Sequence, residues 1–142
     1  MDILKCEDCG NAQLTHVIDA TEVYLNYTYE TASTLGLGGH FEESANSLFE
    51  LFSPNQNGLA IDIGSNDGTF LSVFNKSFKL YGCDPTIKKF SKYYRKDINQ
   101  LPFFFSSKLF KNKKFDLVTS ISMFYDLPDP NKFLRDVKKV LK

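Results

Sequence analysis

Acidic side chains and glycines between Leu59 and Leu71 are the residues whose types and spacing favour ligand chemistry. This segment reads LAIDIGSNDGTFL: an apolar run, a turn that contains Gly64 and Gly68, and a second apolar pattern at helical spacing. A strand, a glycine turn and a helix in this order form the first half of a nucleotide-binding βαβ unit. The glycines let the backbone pass close to a ligand, and the start of the helix presents unpaired N–H groups to it.

Two acids in this segment indicate the charge of the ligand. Asp62 ends the predicted strand and Asp67 lies in the turn, where the spacing Gly64-x-x-x-Gly68 differs from the dinucleotide fingerprint G-x-G-x-x-G. Because carboxylates repel a pyrophosphate, a cationic ligand fits this turn better. S-adenosylmethionine carries a sulfonium and an ammonium group and no phosphate, and its carboxylate can accept hydrogen bonds from the turn. The alternative is a plain turn that joins a strand to a helix.

A third acid follows the next predicted strand. Asp84 ends the strand predicted over Lys79–Pro85 and stands 20 residues after Gly64. An acid at about this distance from a glycine turn hydrogen-bonds ribose hydroxyls, since neighbouring strands end side by side. The sequence therefore predicts one pocket, floored by the glycine turn and bordered by Asp62 and Asp84.

Hydrophobic periodicity predicts the elements that hold these residues. An amphipathic helix is predicted over 40–52, another helix starts at Thr69, and Asp129 caps a last helix with Pro130 at its first position. A further helix is outlined after Asp84, and residues 53–58 form a linker. The predicted strands are Gln13–Val17, Leu59–Ile61, Lys79–Pro85, Leu101–Phe105 and Phe115–Ser122.

Length and composition favour one domain of ordinary size with a small appendage. The chain has 142 residues, 42% of them hydrophobic, and its 14 Phe and 7 Tyr give the core an aromatic character. No apolar run approaches the length of a membrane span, and residues 1–10 contain no apolar signal region. These features, with only three cysteines, favour a cytoplasmic protein.

The two halves of the chain carry opposite charge. Residues 1–78 hold two Lys and eleven acids, and residues 79–142 hold fifteen Lys or Arg and six acids. A nucleic-acid surface is one interpretation. Solvated faces of amphipathic helices explain most of these lysines without a partner, and this interpretation makes nucleic acid unlikely as a ligand.

Cys6 and Cys9 resemble one knuckle of a zinc site, in which a turn closed by Gly10 presents two thiolates. A structural zinc ion needs four ligands, and His16 and His40 lie outside the usual finger spacing. The two cysteines are either half of a zinc site whose other half is missing, or they bind no metal. The sequence leaves both interpretations open.

Three tyrosines, Tyr24, Tyr27 and Tyr29, fall within six residues. They could form a lid over the ligand, or they could pack a helical linker onto the core. Sequence alone favours packing.

These motifs together resemble the class I methyltransferases, and within them the sugar C-methyltransferase-like group. The resemblance rests on Cys6 and Cys9, on Tyr27-x-Tyr29, on IGSNDG at 63–68 and on ISMFYDL-x-DP at 121–130, in that order. It implies an α/β fold with a Rossmann-like doubly wound sheet of about four parallel strands in the order 3-2-1-4. A small zinc-ribbon remnant would occupy 1–20, a helical linker 21–57 and the cofactor domain 58–142.

The resemblance also implies roles for individual residues. The cofactor would be S-adenosylmethionine, held by Asp62, Gly64, Ser65, Asn66, Asp67, Gly68, Asp84, Pro85, Ser106, Ile121, Ser122 and Met123. Tyr27 and Tyr29 would close over the methyl donor, Tyr125 would lie near the substrate, and Cys6 and Cys9 would be zinc ligands. Asn66 stands where many methyltransferases have a second glycine, and asparagine tolerates the left-handed backbone that this position needs.

Two departures from the group's pattern shape the functional prediction. No C-x-x-C precedes Cys6, and the chain stops at Lys142, before the three strands and the base-supplying segment that such proteins usually contain. We expect a shortened piece or one product of a split gene, with weak or absent turnover. Its fourth strand would be an open sheet edge that favours self-association.

The sequence therefore predicts an S-adenosylmethionine-dependent methyltransferase that C-methylates a nucleotide-linked sugar or a similar small molecule. No catalytic residue is assigned. The alternatives are a catalytically incompetent cofactor-binding or partner-binding module, a nicotinamide-dependent enzyme, and a nucleic-acid binder that uses the basic half.

Overall fold

A four-stranded parallel sheet with helices on both faces organises the fold. The computed structural model describes residues 2–16, 18–52, 57–74 and 78–142. In these ranges the strands are β1 (Ile3–Lys5), β2 (Ala12–Leu14), β3 (Leu59–Ile63), β4 (Lys79–Cys83), β5 (Asn99–Leu101) and β6 (Leu117–Thr119). The α-helices are α1 (Ala20–Tyr24), α2 (Leu37–Phe52), α3 (Thr69–Ser72), α4 (Ile87–Phe90) and α5 (Pro130–Val140). Short 3-10 helices span Thr31–Ser33, Ser91–Tyr93, Ser107–Phe110 and Phe124–Asp126.

The sheet has the order β5-β4-β3-β6, and its three pairings are all parallel. This arrangement is the predicted order 3-2-1-4. In the register of the two pairings that β3 makes, Asp62 lies between Gly82 of β4 and Thr119 of β6. Because parallel strands point the same way, the carboxyl ends of β3, β4 and β6 meet at one edge of the sheet.

Alternate residues of the central strands pack into two separate cores, as expected for a sheet covered on both sides. Ala60 and Leu80 face the first core, which is built with α2 and α3 from Phe41, Ala45, Phe70, Leu71, Phe74 and Phe78. Ile61 and Ile63 face the second core, which α5 closes with Val140 and which includes Phe110 and Phe115. Helices on both faces confirm the doubly wound α/β class.

Several predicted elements have different bounds in the structure. The third strand was predicted over Leu101–Phe105 but ends at Leu101, because Pro102 has no N–H to donate and the Phe103 N–H turns back to the Leu101 carbonyl. The fourth, predicted over Phe115–Ser122, is limited to Leu117–Thr119, and Phe115 instead forms a bridge with Leu141.

The other predicted elements are present with shifted ends. The first two sheet strands run to Ile63 and Cys83, α2 begins at Leu37, and the helix after Asp84 is a short α4 followed by a 3-10 turn. Asp129 accepts a hydrogen bond from the Lys132 N–H, with Pro130 first in α5, which confirms the predicted cap. Val17 and most of the linker predicted at 53–58 lie outside the described residues.

The N-terminal part is a hairpin followed by an irregular linker. β1 and β2 pair antiparallel, and the intervening turn contains Cys6 and Cys9. Asp19 then caps α1 by accepting from the Thr21 N–H. The predicted domain limits stay predictions. Among the described residues, no helix has both the length and the apolar character to cross a membrane.

Candidate functional site

The loop between β3 and α3 uses the left-handed backbone at three positions. Gly64 and Gly68 have φ of 80°, and Asn66 has φ of 47°. Glycine adopts this conformation without steric cost, and asparagine is among the few other residues that tolerate it. The turn predicted from the glycine spacing is therefore present, with Asn66 in the role expected for it.

Part of the loop backbone is already hydrogen-bonded inside the protein. The N–H groups of Gly64, Asn66 and Gly68 donate to the Cys83 carbonyl, the Asp84 carboxylate and the Ser65 carbonyl. The N–H groups of Ser65 and Asp67 have no acceptor among the described residues. Of these two residues, only Ser65 lines a cavity, so its amide is the one placed to bind a ligand group.

A cavity of about 260 Å³ lies beside this loop at the carboxyl edge of the sheet. Of the predicted site residues it is lined by Gly64, Asn66, Asp84, Pro85, Ile121, Ser122, Met123, Tyr27, Tyr29 and Tyr125. Tyr24, Phe104, Phe105 and Asp126 add to its wall, which is mainly apolar and aromatic. The structure thus brings ten of the predicted residues to one cavity.

A second cavity of about 180 Å³ adjoins the first under the start of α2. Asp62 and Ser65 line this cavity, together with His40, Phe41 and Phe70. Both cavities share Tyr29, Thr31, Gly64, Ile121 and Ser122. The prediction of one pocket bordered by both Asp62 and Asp84 is therefore wrong in detail. Asp84 lines the larger cavity, and Asp62 lines the smaller one. The linker and the segment after β6 meet the glycine turn at the boundary between the two cavities.

Asp62 is a buried acid whose environment opposes its charge. Its side chain is 3% exposed, and Oδ1 accepts a 2.8 Å hydrogen bond from the Thr119 hydroxyl. Burial raises the pKa of Asp62 to about 7; the Thr119 hydrogen bond opposes this rise and the charge of Asp84 adds to it. Within the part of the chain that the structure describes, no cationic side chain pairs with Asp62.

Asp84 links the end of β4 to the glycine turn. Its Oδ2 accepts from the Asn66 N–H at 3.0 Å, and its Oδ1 accepts from the Thr86 N–H at 2.7 Å and the Thr86 hydroxyl at 2.6 Å. A carboxylate has about four acceptor positions, and three are used here. The predicted ribose contact stays a prediction, with room for one further hydrogen bond.

Asn66 and Asp67 contact the linker before α2. The Asn66 side chain donates from Nδ2 to the Tyr29 carbonyl at 3.0 Å and accepts at Oδ1 from the Thr31 N–H at 3.1 Å. Asp67 Oδ2 accepts from the Ala32 N–H at 2.8 Å. Its Oδ1 accepts from the Thr69 N–H and hydroxyl at the start of α3, and Asp67 lines neither cavity. The cofactor contacts predicted for these two side chains stay predictions.

Tyr94 packs against the glycine turn and hydrogen-bonds to it. Its hydroxyl lies 2.8 Å from Ser65 Oγ and donates to the Asn66 carbonyl at 2.9 Å. A Cβ atom added at Gly68 would lie 2.8 Å from the Tyr94 ring, so Gly68 is needed for close packing as well as for its backbone conformation. Gly68 lines neither cavity, and its predicted cofactor contact stays a prediction.

The segment after β6 contains two unusual features. Ser122 has φ of 56°, a left-handed conformation that a serine rarely adopts and that tends to occur at functional sites. The Ser120 hydroxyl is buried and has no hydrogen-bond partner among the described residues. Met123 packs over the turn, since a Cβ at Gly64 would lie 2.9 Å from its Cγ.

The tyrosines of the linker lie at the larger cavity. Tyr24 and Tyr27 are 5.5 Å apart between ring centroids, and Tyr27 and Tyr29 are 6.1 Å apart, both edge to face. The Tyr24 hydroxyl donates to Asp126 Oδ2 at 2.9 Å, which connects the linker to the segment that carries Tyr125. These rings line the cavity, and the lid role stays a prediction.

Besides Asp67 and Gly68, three predicted site residues lie outside both cavities. Ser106 precedes the 3-10 helix Ser107–Phe110 and lines neither cavity. Cys6 and Cys9 are exposed in the hairpin turn. No group of three or more His, Cys, Asp or Glu that could hold a metal ion occurs among the described residues. The residues present therefore do not fit a four-ligand zinc site, and the zinc-ribbon remnant is not shown.

Sequence reasoning did not select four residues that the geometry brings to the site. Thr119 bonds Asp62, Tyr94 supports the turn, Thr31 lies in both cavities, and His40 lines the smaller one. Thr119 could have been identified from the sequence, because the predicted strand order places its strand beside that of Asp62. The others depend on contacts between distant segments.

The charges around the two cavities define what they can bind. Asp62, Asp84 and Asp126 line them, and none of the described lining residues is Lys or Arg. A pyrophosphate would face carboxylates without a basic partner, whereas a cationic group would find Asp62 nearby. The apolar aromatic wall suits a flat ring. The arrangement therefore fits a cationic nucleoside better than a dinucleotide.

Comparison with known proteins agrees with this fold. Residues 39–142 match the sequence profile of a family described as "Methyltransferase domain". A structure described as "Putative methyltransferase from antibiotic biosynthesis pathway" of Anabaena variabilis aligns with a TM-score of 0.56 and 15% identity over 70% of this chain. Precorrin 8W decarboxylase of Methanobacterium thermoautotrophicum aligns with a TM-score of 0.53 and 16% identity, also over 70% of this chain.

These structural relatives are longer proteins. The aligned chain covers 41% of the first and 57% of the second. At such identities the likeness shows the fold alone. A search of curated protein sequences gave no match.

Proposed function

The chain belongs to the methyltransferase domain family, and from this premise we propose that it binds S-adenosylmethionine at the two adjoining cavities and serves methyl transfer to a small molecule. When bound, S-adenosylmethionine supplies an electrophilic methyl group on a sulfonium centre. The residues of this chain would position the cofactor and exclude water from it.

One observation carries the proposal: Asp62 is a buried acid that lines a cavity and has no cationic side-chain partner among the described residues. Burial of a carboxylate without a cationic partner costs free energy, and the pKa of Asp62, raised to about 7, reflects this cost. An ammonium or sulfonium group in the smaller cavity would remove that cost. The residues present therefore fit a cationic cofactor.

In this proposal, the two ends of the cofactor bind in different cavities. Asp62 and the N–H group of Ser65, which has no acceptor among the described residues, would bind the methionine end at the smaller cavity. Asp84 would accept one ribose hydroxyl in the larger cavity, where Pro85, Phe104 and the linker tyrosines offer apolar surface to the adenine.

The acceptor belongs to the same proposal. C-methylation of a nucleotide-linked sugar is what the resemblance to the sugar C-methyltransferase-like group implies, and it requires a base that removes a proton next to a carbonyl. No described side chain is assigned that role. Because none of the described residues that line the cavities is Lys or Arg, the diphosphate of such an acceptor would lie outside them. The cytoplasmic location also stays a prediction.

Titration calorimetry tests cofactor binding through the proton that binding should release. Binding of S-adenosylhomocysteine, which carries an ammonium group, should lower the pKa of Asp62 and release a proton near pH 7. The measured enthalpy should then differ between phosphate and Tris buffers, which have different ionisation enthalpies. Adenosine, which lacks the amino-acid end, should bind without this difference.

Asp62→Asn is the matched variant, since asparagine keeps the shape and the acceptor for Thr119. It should weaken S-adenosylhomocysteine about tenfold or more at pH 8 and remove the buffer dependence. Asp2→Asn, an exposed change in the hairpin region, should leave both unchanged. No binding by the unaltered chain, or tighter binding of NADH, would contradict the proposal. Binding without turnover on any sugar nucleotide would instead favour a cofactor-binding module.

A further inference from the structure

The backbone of residues 24–32, which we name the strap, crosses the site and is hydrogen-bonded to the glycine turn. The Asn66 side chain pairs with the backbone on both sides of residue 30: it donates to the Tyr29 carbonyl and accepts from the Thr31 N–H. Asp67 accepts from the next N–H, that of Ala32. Three consecutive contacts thus join two segments that are about 35 residues apart in sequence.

These contacts explain why asparagine suits position 66 in the middle of the turn. An asparagine side chain has one N–H donor group and one carbonyl acceptor, as a peptide unit has, so it can pair with a strand-like backbone. An aspartate at 66 would set an oxygen against the Tyr29 carbonyl, and a glycine would make neither bond. Asn66 also tolerates φ of 47°.

Other contacts hold the same strap over the larger cavity. The Tyr24 hydroxyl bonds Asp126, and the Lys89 ammonium group donates to the Tyr27 carbonyl at 3.2 Å. Tyr24, Tyr27 and Tyr29 of the strap line the cavity, and Tyr29 also lines the smaller one. The position of the strap therefore sets how far the cavities are open to solvent.

We infer that Asn66 and Asp67 are positioning residues that hold the strap across the cofactor site. They act through the backbone of Tyr29, Thr31 and Ala32, and they fix the tyrosine side chains that cover the cavities. Release of the strap from the glycine turn opens the site, so these side chains control how fast a nucleoside ligand enters and leaves. The inference rests on the proposed function for the identity of the ligand, but the hydrogen bonds themselves can be tested without one.

Amide hydrogen exchange measured by NMR tests the hydrogen bonds in the ligand-free chain. Asn66→Gly keeps the left-handed backbone and removes the side chain, so the Thr31 amide should exchange about tenfold faster. Asp67→Ala removes the carboxylate oxygen that accepts from the Ala32 N–H, so the Ala32 amide should exchange faster. Asn57→Gly, the same substitution at another left-handed asparagine with φ of 73°, should change neither amide.

Binding kinetics test the positioning role. Surface plasmon resonance with S-adenosylhomocysteine should show that Asn66→Gly raises the association rate and the dissociation rate together, because the strap no longer covers the site. A loss of fold stability alone would not speed association. Unchanged amide exchange at Thr31 and Ala32 in both variants, or unchanged binding rates in Asn66→Gly, would overturn the inference. If the unaltered chain does not bind S-adenosylhomocysteine, the proposed function fails, while the exchange experiment still decides whether Asn66 and Asp67 hold the strap.

Discussion

Asp62 Oδ1 accepts a 2.8 Å hydrogen bond from the hydroxyl group of Thr119, which lies directly opposite Asp62 in the parallel pairing of β3 with β6. Among the described residues, this hydroxyl is the one hydrogen-bond donor to the Asp62 side chain, and it stabilises a carboxylate in an otherwise unfavourable position. Burial outweighs it, so the pKa of Asp62 is raised to about 7. The acid at the centre of the site is therefore poised to change its charge at neutral pH.

The raised pKa predicts that stability falls as pH rises. Between about pH 4 and pH 7 the native chain binds a proton at Asp62 that the unfolded chain has lost, so the free energy of unfolding decreases across this window and levels off above it. The upper limit of the decrease is roughly 4 kcal/mol. Urea denaturation of the unaltered chain and of Asp62→Asn from pH 5 to pH 8 checks this.

Asp62→Asn should lack this contribution to the pH dependence and should be the more stable chain at pH 8. Asp2→Asn serves as the control and should keep the slope of the unaltered chain. Parallel pH curves for the unaltered chain and Asp62→Asn would show that Asp62 titrates normally, against the prediction.

The sheet was predictable because its signals are local. Ala60 and Ile61 alternate between the two cores, and the glycine turn and Asp84 stand at the ends of neighbouring strands. The strand ends were less predictable. Pro102 stops β5 through its missing N–H, while β6, an edge strand of the sheet in the described residues, is three residues long.

The contacts of Asn66 and Asp67 could not be predicted in the same way. Their partners are backbone groups of Tyr29, Thr31 and Ala32, and backbone groups carry no sequence signal. The spacing indicated a turn, which the structure confirms. Which segment lies across that turn depends on how the linker packs, and this is a property of the whole fold.

Gly68→Ala should be more destabilising than Gly36→Ala. Both glycines have φ of about 80°, so an alanine is strained equally at either position. At Gly36 the new Cβ meets nothing within 4 Å, whereas at Gly68 it lies 2.8 Å from the buried ring of Tyr94. Overpacking at Gly68 should therefore add about 1–3 kcal/mol of destabilisation. Urea denaturation of the two variants measures the difference.

Equal destabilisation of the two alanine variants would show that the Tyr94 ring can move aside. A third variant, Gly64→Ala, provides an intermediate case. Its Cβ would lie 2.9 Å from Met123 Cγ, a flexible side chain that can yield more easily than a ring. Its effect on stability should fall between those of Gly36→Ala and Gly68→Ala.

Tyr94→Phe should destabilise the chain and loosen the glycine turn. The lost hydroxyl is buried, lies 2.8 Å from Ser65 Oγ and donates to the Asn66 carbonyl, so its removal leaves two buried groups without this partner. The expected cost is about 1–3 kcal/mol. Thermal or urea unfolding measures it, and the exchange rates of amides in residues 64–68 should rise.

Tyr93→Phe is the matched control one residue away. Tyr93 is 48% exposed, and its ring keeps the contact with Phe90 and with the Lys92 ammonium group in the phenylalanine variant. Its effect should stay within about 0.5 kcal/mol. A Tyr94→Phe variant as stable as Tyr93→Phe would mean that water replaces the lost hydroxyl without cost.

Cys6 and Cys83 should react with iodoacetamide at very different rates, because their environments shift their thiol pKa in opposite directions. The pKa of the exposed Cys6 is lowered, chiefly by the backbone N–H of Cys9 and less by the backbone N–H of Asp8 and the Cys9 thiol. Cys6 should therefore be alkylated first at pH 7. Burial, together with the charges of Asp84 and Asp62, raises the pKa of Cys83 to about 12, so Cys83 should react only after unfolding. Peptide mapping by mass spectrometry reads the order. Cys9→Ser keeps the backbone N–H that has the largest effect on Cys6, so Cys6 should still react faster than a free cysteine; a fall to the ordinary rate would show that the Cys9 thiol dominates instead.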